Sequence, residues 1–305
     1  MKQALYIAVL IIIIPYFIVS FFMEEKEIEF NLITDNMHVR VKREKANDII
    51  LIPLEEYIVG VLAGEMPVNF HDEALKAQAV AARSYVLKRI IYNKNEDYDV
   101  IDSVSNQVYL DVEYLKGRWK DNYISNINKI RNAVFSTKGE FMVYGDKIVD
   151  ALYFSTSNGF TENSESVFGF KEPYLRSVES AWDKEVSPVF TDSLEMPLRN
   201  FYDKLNLPFN SNLLISGLKR SESGRILELK INNKKFAGKE VREKLGIRST
   251  DFNIKQNGNI VKINTKGYGH GVGMSQYGAN GMAINNFNYK EILGYYYKNI
   301  SLKKI

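Results

Sequence analysis

The sequence of 305 residues has no cysteine, three histidines, two tryptophans and seven prolines. Without cysteine there are no disulfides and no thiolate metal sites. His38, His71 and His270 are too few and too scattered for a multi-histidine metal centre. Charge of one sign is also scarce: the net charge is +3, with a pI near 8.7. That excess suits an anionic surface such as a cell wall or lipid layer, and it is too weak to point to nucleic acid. Internal repeats and low-complexity linkers are absent. The glycines lack a Gly-Lys-Ser/Thr ending and the spacing of a dinucleotide fingerprint. No nucleophile elbow surrounds any serine.

The composition is 45% hydrophobic, 25% charged and 12% aromatic, as in a folded protein with a real core. One long apolar run exists: Ala4 to Phe22 is 19 residues without a charge. It is long enough to span a bilayer. Lys2 precedes it and Glu24-Glu25 follow, which predicts a cytoplasmic N-terminus and an external body. The run exceeds a usual signal-peptide core, and "FFMEEKE" offers no small-x-small cleavage site, so an anchor over residues 1–23 is the preferred reading.

Beyond the anchor, residues 24–305 read as one external domain in which helices and strands alternate without a βαβ rhythm. This favours an α+β fold with mixed helices and antiparallel strands. Strand patterns occupy patches of "KEIEFNLITDNMHVRVKRE" and "NDIILIP", and helical ones Leu54 to Glu65 and about Asp72 to Tyr92. A further helix is predicted around Asn122 to Phe135, and a hairpin turns at Gly145-Asp146. From about residue 194 to 265 a short helix, the strands "RILELKI" and "NIVKINT", and a small helix in "GKEVREKLGI" suggest an inserted β/α subdomain. "NYKEILGYYYKNI" then reads as a last helix.

Three stretches carry candidate chemistry. In the first helix Leu54, Ile58, Val61 and Leu62 share an apolar face, and Glu65 points into its middle while Glu55 and Glu56 point away. A carboxyl among apolar side chains has a raised pKa and can hold a proton to donate. The alternative is a glutamate at a frayed helix end, bonded to local backbone. "STSNGF", with Ser155, Ser157, Asn158 and Gly159 after Tyr153, groups small donors and acceptors that suit a hydroxyl-rich ligand, or a polar turn satisfying itself. "GYGHGVGMSQYGANG" places His270, Gly271, Ser275 and Gln276 among glycines, which indicates unusual backbone angles or close backbone approach.

Taken together, "VLAGEMPVNFHDEALKAQAVAARSYVL", "YFSTSNGFTENSESVFG", "PYLRSVESAWD" and "GYGHGVGMSQYGANGMA" resemble the SpoIID/LytB family of peptidoglycan proteins over nearly all of the external part. The resemblance implies a lytic transglycosylase acting on glycan strands stripped of stem peptides, with Glu65 as the acid that becomes the base. It implies that Tyr153, Ser155, Ser157, Asn158, Gly159, His270, Gly271, Ser275 and Gln276 line the glycan groove, and that Gln78, Arg83 and Tyr85 border or support it. Glu162, Glu165 and Asp183 are read as loop or structural residues. Some relatives carry zinc on Cys and His just before a Gln-x-Tyr segment. Here Gln107-Val108-Tyr109 follows "DSVSN", so no zinc and no other cofactor is expected, and Ser103, Ser105 and Asn106 are expected to do the structural work. The implied setting is the mother-cell membrane during engulfment of a forming endospore, with a wall amidase and a polytopic membrane scaffold as partners. The rival readings are a non-catalytic glycan-binding modifier of an amidase and a structural scaffold.

Overall fold

A computed structural model describes residues 36–46 and 48–305. The apolar run Ala4–Phe22 lies outside them, and no helix among the described residues is long and apolar enough to cross a membrane. Two helices organise the molecule: α1 (Leu54–Glu65) and α2 (Asp72–Tyr92). Helix α1 opens on Pro53 with Glu55 and Glu56 in its first turn, where carboxylates favour the positive end of the helix dipole. It closes at Met66, whose extended backbone (φ −121°, ψ 143°) is what a residue before proline is driven to adopt. Helix α2 is capped by His71, whose ring accepts the Glu73 N–H at 3.3 Å. Its run of alanines lets neighbours approach on every side, and thirteen of its residues from Ala74 to Leu87 are buried.

Helix α1 is buried more widely than its stripe predicts. Tyr57, Val59, Gly60 and Ala63 join Ile58, Val61 and Leu62 inside. The antiparallel pair β1 (His38–Arg43) and β2 (Asp48–Pro53), helix α2 and one further helix surround it. Helix α3 (Val112–Trp119) packs on that further helix, α4 (Tyr123–Ser136), and only α4 carries a pattern clear enough to read in advance. A short strand β3 (Val100–Ile101) adds in parallel to β1, giving the order β2-β1-β3. Strands β4 (Glu140–Tyr144) and β5 (Lys147–Ile148) form the hairpin at Gly145-Asp146. The parallel pair β6 (Tyr153–Phe154) and β13 (Met274–Ser275) joins two distant loops, matching Met274 to Tyr153 and Ser275 to Phe154.

Between α6 (Trp182–Val186), which follows the short helix α5 (Ser164–Phe168), and β13, residues 191–266 build a lobe with its own hydrophobic cluster, including Phe201, Tyr202, Phe236, Phe252 and Ile263. One of its sheets has the order β11-β12-β7, from β7 (Thr191–Pro197), β11 (Asp251–Asn257) and β12 (Ile260–Lys266). The other runs β10-β9-β8, from β8 (Ile215–Arg220), β9 (Ile226–Ile231) and β10 (Lys234–Ala237). Helices α7 (Leu198–Lys204) and α8 (Gly238–Leu245) complete the lobe.

The glycine-rich segment departs from a pure loop: from Gln276 to Ile284 it is helix α9. Its glycines serve close packing, since a Cβ on Gly278 would lie 2.2 Å from the Tyr296 hydroxyl and one on Gly281 2.5 Å from Trp182. The last helix, α10 (Tyr289–Tyr296), starts in a capping box between Asn288 and Glu291. The chain then returns as β14 (Ser301–Lys304), which has no strong sequence pattern and is defined by pairing with β4.

One buried ion pair ties these parts together. Arg83, with no side-chain exposure, donates to Glu55 from Nε at 3.0 Å and from Nη2 at 2.6 Å. It also donates to the carbonyls of Glu140 (3.0 Å) and Val134 (3.3 Å), and Glu55 accepts the Gly139 N–H at 3.0 Å. Glu55 therefore turns inward, contrary to the outward direction its helical position predicts. Its partner on α2 supplies the charge that makes burial tolerable. Arg83→Ala strands the Glu55 carboxylate, and a loss of about 3–5 kcal/mol is expected; urea unfolding of the variant against the parent measures it.

Candidate active site

Glu65 takes its position from two glycines. Gly60 and Gly64 lie one turn apart on α1 and form a shallow trough. The extended segment Gln107–Leu110 lies in it: a Cβ on Gly64 would meet the Val108 carbonyl oxygen at 2.5 Å, and one on Gly60 the Tyr109 ring at 2.3 Å. The Leu110 N–H donates to Gly60 O at 3.2 Å, and Tyr109 stacks on Tyr57 with ring centroids 5.6 Å apart. This contact delivers the Val108 N–H to Glu65 Oε1 at 2.7 Å. From the other side Gln276 Nε2 donates to the Glu65 carbonyl at 3.1 Å. The β6–β13 pairing is what carries Gln276 there.

Behind the carboxyl lies a directed chain of hydrogen bonds. The buried Tyr57 hydroxyl donates to Gln107 Oε1 at 3.2 Å, and Gln107 Nε2 donates to the Tyr153 hydroxyl at 3.1 Å. Tyr153 is left with its own proton to give. Burial pushes the Glu65 carboxyl above its ordinary range, while hydrogen bonds from Val108, Gln276 and Tyr153 pull the other way. No second carboxylate among the described residues contributes to the shift. Burial also raises the Tyr57 and Tyr153 phenols well above their usual value, so both stay neutral donors.

Of the residues singled out in the sequence, Glu65, Tyr153 and Gln276 converge here. Tyr85 borders the group, its hydroxyl accepting from Asn106 Nδ2 at 3.0 Å. Gln78 lies on α2 one turn before Ala82, whose carbonyl accepts from Gln107 at 3.4 Å; its side-chain nitrogen and oxygen are buried with no protein partner. Arg83 belongs elsewhere. Its partner Glu55 is ten residues from Glu65, about 15 Å along the helix.

Ser157 and Ser275 form a second group around Asp183, which is fully buried. Asp183 accepts from the Ser157 N–H and hydroxyl (both 2.9 Å), the Ser180 hydroxyl (2.6 Å) and the Ser275 hydroxyl (2.5 Å). Burial raises its carboxyl against these four bonds. Both serine hydroxyls are thus turned inward, and Ser275 also caps α9 through the Gly278 N–H at 3.3 Å. Ser155 sits at the edge, its carbonyl accepting from Tyr277 at 3.0 Å.

Asn158, Gly159 and Gly271 meet the lobe. Asn158 Nδ2 donates to Ser223 O at 2.8 Å and to Asp251 Oδ2 at 2.9 Å. Gly159 has φ 111°, and its carbonyl accepts the Ser180 N–H at 2.8 Å. Gly271, at φ 87°, leaves room for Arg225: a Cβ would fall 2.6 Å from the guanidinium carbon. Arg225 donates to Phe160 O at 3.0 Å, and its charge faces buried Glu162, which accepts from Ser223 at 2.6 Å and from Ser221. His270 packs between Phe154 and Phe168, at 5.7 and 5.5 Å between ring centres. Its Nδ1 accepts the Val272 N–H at 3.1 Å, and burial first, then Arg242, lowers its pKa to about 4. It is neutral at pH 7.

The residues preceding Gln107 do not suit a zinc ion. Asn106 accepts the Ile101 N–H at 2.9 Å and donates to Tyr85, while Ser103 bonds Glu44 at 3.3 Å and accepts the Ser105 N–H at 3.4 Å. Among the described residues no three His, Cys, Asp or Glu gather in a metal-binding group. Gln107 and Val108, read from the sequence only as the segment after a zinc position of relatives, and Tyr57, not singled out at all, belong to the site. The signal for them was Gly60 followed four residues later by Gly64, the mark of a close neighbour.

Comparison with known proteins identifies the family. Residues 42–144 match the stage II sporulation protein (SpoIID) family, and residues 181–273 match a domain of unknown function. The chain is 40% identical to stage II sporulation protein D of Bacillus amyloliquefaciens, over 92% of this chain and 83% of that protein. It is 38% identical to stage II sporulation protein D of Bacillus subtilis, over 87% and 79%. An amidase enhancer of Bacillus subtilis is 29% identical over 80% of this chain and 40% of its own length. The chain belongs to the stage II sporulation protein D family.

The raised pKa has a consequence for stability. Below the ordinary glutamate range both folded and unfolded chains hold the Glu65 proton, and the group is neutral to stability. As pH rises past it, the unfolded chain releases the proton first, and the buried carboxyl weakens folding. Glu65→Gln keeps an Oε1 acceptor for Val108 without that charge. It is expected to be more stable than the parent at pH 7 and no different at pH 4; thermal melts at the two pH values decide.

Proposed function

We propose that this protein is a lytic transglycosylase that cuts peptide-free glycan strands of peptidoglycan between N-acetylmuramic acid and N-acetylglucosamine. The observation that carries the reading is Glu65: a carboxyl whose pKa is raised by burial, fixed by a backbone N–H, with no charged group among the causes of the shift. Such a group keeps its proton towards neutral pH and donates it to the glycosidic oxygen as the bond from C1 breaks. The carboxylate left behind then accepts the proton of the muramic C6 hydroxyl as that oxygen attacks C1. Glu65 is regenerated as the acid, the product carries a 1,6-anhydro ring, and no water enters. Ordinary glycosidases use two carboxylates, one of them a nucleophile or water-activating base. When the substrate supplies its own nucleophile, one suffices.

In this reading Tyr153 and Gln276, held beside Glu65, contact the glycan, and Tyr85 and Gln78 border it. The inward-turned Ser157 and Ser275 shape the loops instead of touching sugar, with Ser155, Asn158, Gly159, His270 and Gly271 along the same wall. The apolar run at residues 4–22 anchors the chain with its domain outside the cytoplasm, facing the space that engulfment opens between two membranes. A wall amidase that strips stem peptides and a membrane scaffold are the fitting partners.

Incubation with peptide-free strands, read by mass, tests the activity. Anhydromuramyl ends are expected, with a rate that falls as pH rises through the raised pKa of Glu65. In Glu65→Gln the rate drops by about 10²–10⁴-fold or more. Reducing ends formed with water uptake would mean a hydrolase. Binding without cleavage would favour a glycan-gripping modifier, the reading that kinship with an amidase enhancer suggests.

A further inference from the structure

The lobe carries a concavity of its own, about 630 Å³, outside the Glu65 group. That volume lies within the range of small-molecule sites. Across its sheet Ser193, Asn264 and Asn253 sit side by side in register on β7, β12 and β11, and all three are exposed. Two residues along the same face come Thr191, Lys266 and Asp251. All six line the concavity. Thr265 links Asn264 to Lys266 through its backbone, its own side chain buried on the opposite face in register with Phe252.

The chemistry of this lining is specific. Hydroxyls and carboxamides dominate, groups that both donate and accept. Three of the four charged residues lining it are already paired: Arg220 with Asp251 at 3.0 Å, and Asp192 with Arg248 at 3.2 Å. An ion would have to compete with these pairs, whereas a neutral ligand rich in hydroxyl and amide groups would not. At the border an exposed aromatic ring, Tyr268, carries the Arg248 guanidinium 5.4 Å from its centre. An aromatic ring beside a row of amides and hydroxyls offers a sugar both a stacking face and hydrogen bonds.

We propose that this concavity is a second carbohydrate site, which binds N-acetylated oligosaccharide and holds a glycan strand apart from the cutting centre. The proposal rests on the glycan reading of the Glu65 site for its choice of sugar. The two places are physically joined. Asp251 in the concavity wall accepts from Asn158, in the loop that follows Tyr153, and β12 runs from Lys266 directly into the His270 loop. A strand seated on both is bound by two linked contacts, and its effective local concentration at the acid rises accordingly. The matched domain of unknown function, residues 181–273, encloses the whole lining.

Titrating the isotope-labelled full-length chain in detergent with penta-N-acetylchitopentaose, followed by NMR, tests this. Saturable shifts are expected for the side-chain amides of Asn253 and Asn264 and for the backbone amide of Thr265, separately from any shift at Val108. In Asn253→Ala/Asn264→Ala the affinity read at Thr265 falls tenfold or more, while the response at Val108 persists. Silence at Asn253, Asn264 and Thr265 overturns the proposal, as does an affinity at Thr265 that the double substitution leaves unchanged. A response in the lobe with Val108 silent supports the second site and counts against the glycan reading of the first.

Discussion

The trough on helix α1 is the contact on which the rest of the site depends. Two glycines one turn apart let an extended backbone lie directly on a helix, and no larger residue fits at either place. That approach fixes three things at once: the N–H on Glu65, the stacked Tyr57–Tyr109 pair, and the position of Gln107 between two tyrosines. The geometry is built from main-chain atoms and small residues, so it comes from the shape of the backbone and needs little side-chain ordering.

A second theme is the use of buried carboxylates as fasteners. Glu55, Asp183 and Glu162 each sit inside the protein, and each is surrounded by donors: Arg83 and a glycine N–H, four serine donors, and serines facing Arg225. Removing a charge from water is costly, and hydrogen bonds to the charged form offset that cost. No cation is among the causes of the Glu65 shift, whereas Glu55 has Arg83 and Glu162 faces Arg225. At Glu65, as at Asp183, burial prevails over the donors.

The long helices were legible because their patterns are long: Leu54–Glu65 and Asp72–Tyr92 have the bounds that proline, acidic first turns and apolar spacing dictate. Strands β9 and β12 were similarly readable from their alternation. The short strands β3 and β13 were not, because two residues carry no period and exist only through their partners. Helix α9 hid behind its glycines, which are poor helix formers retained for contact with Tyr296 and Trp182. At the site, the placement of Glu65 on an apolar face could be read from spacing. That Ser157 and Ser275 turn inward could not, since Asp183 meets them only through loops far apart in the chain.

The single N–H from Val108 makes the two oxygens of Glu65 inequivalent. Oε1 has a fixed donor pointing at it, so when the group is neutral the proton is better placed on Oε2. Under the proposed mechanism this makes the carboxyl a one-handed acid: the oxygen that releases a proton would also be the one best placed to recover it, with no side-chain rotation between the two events.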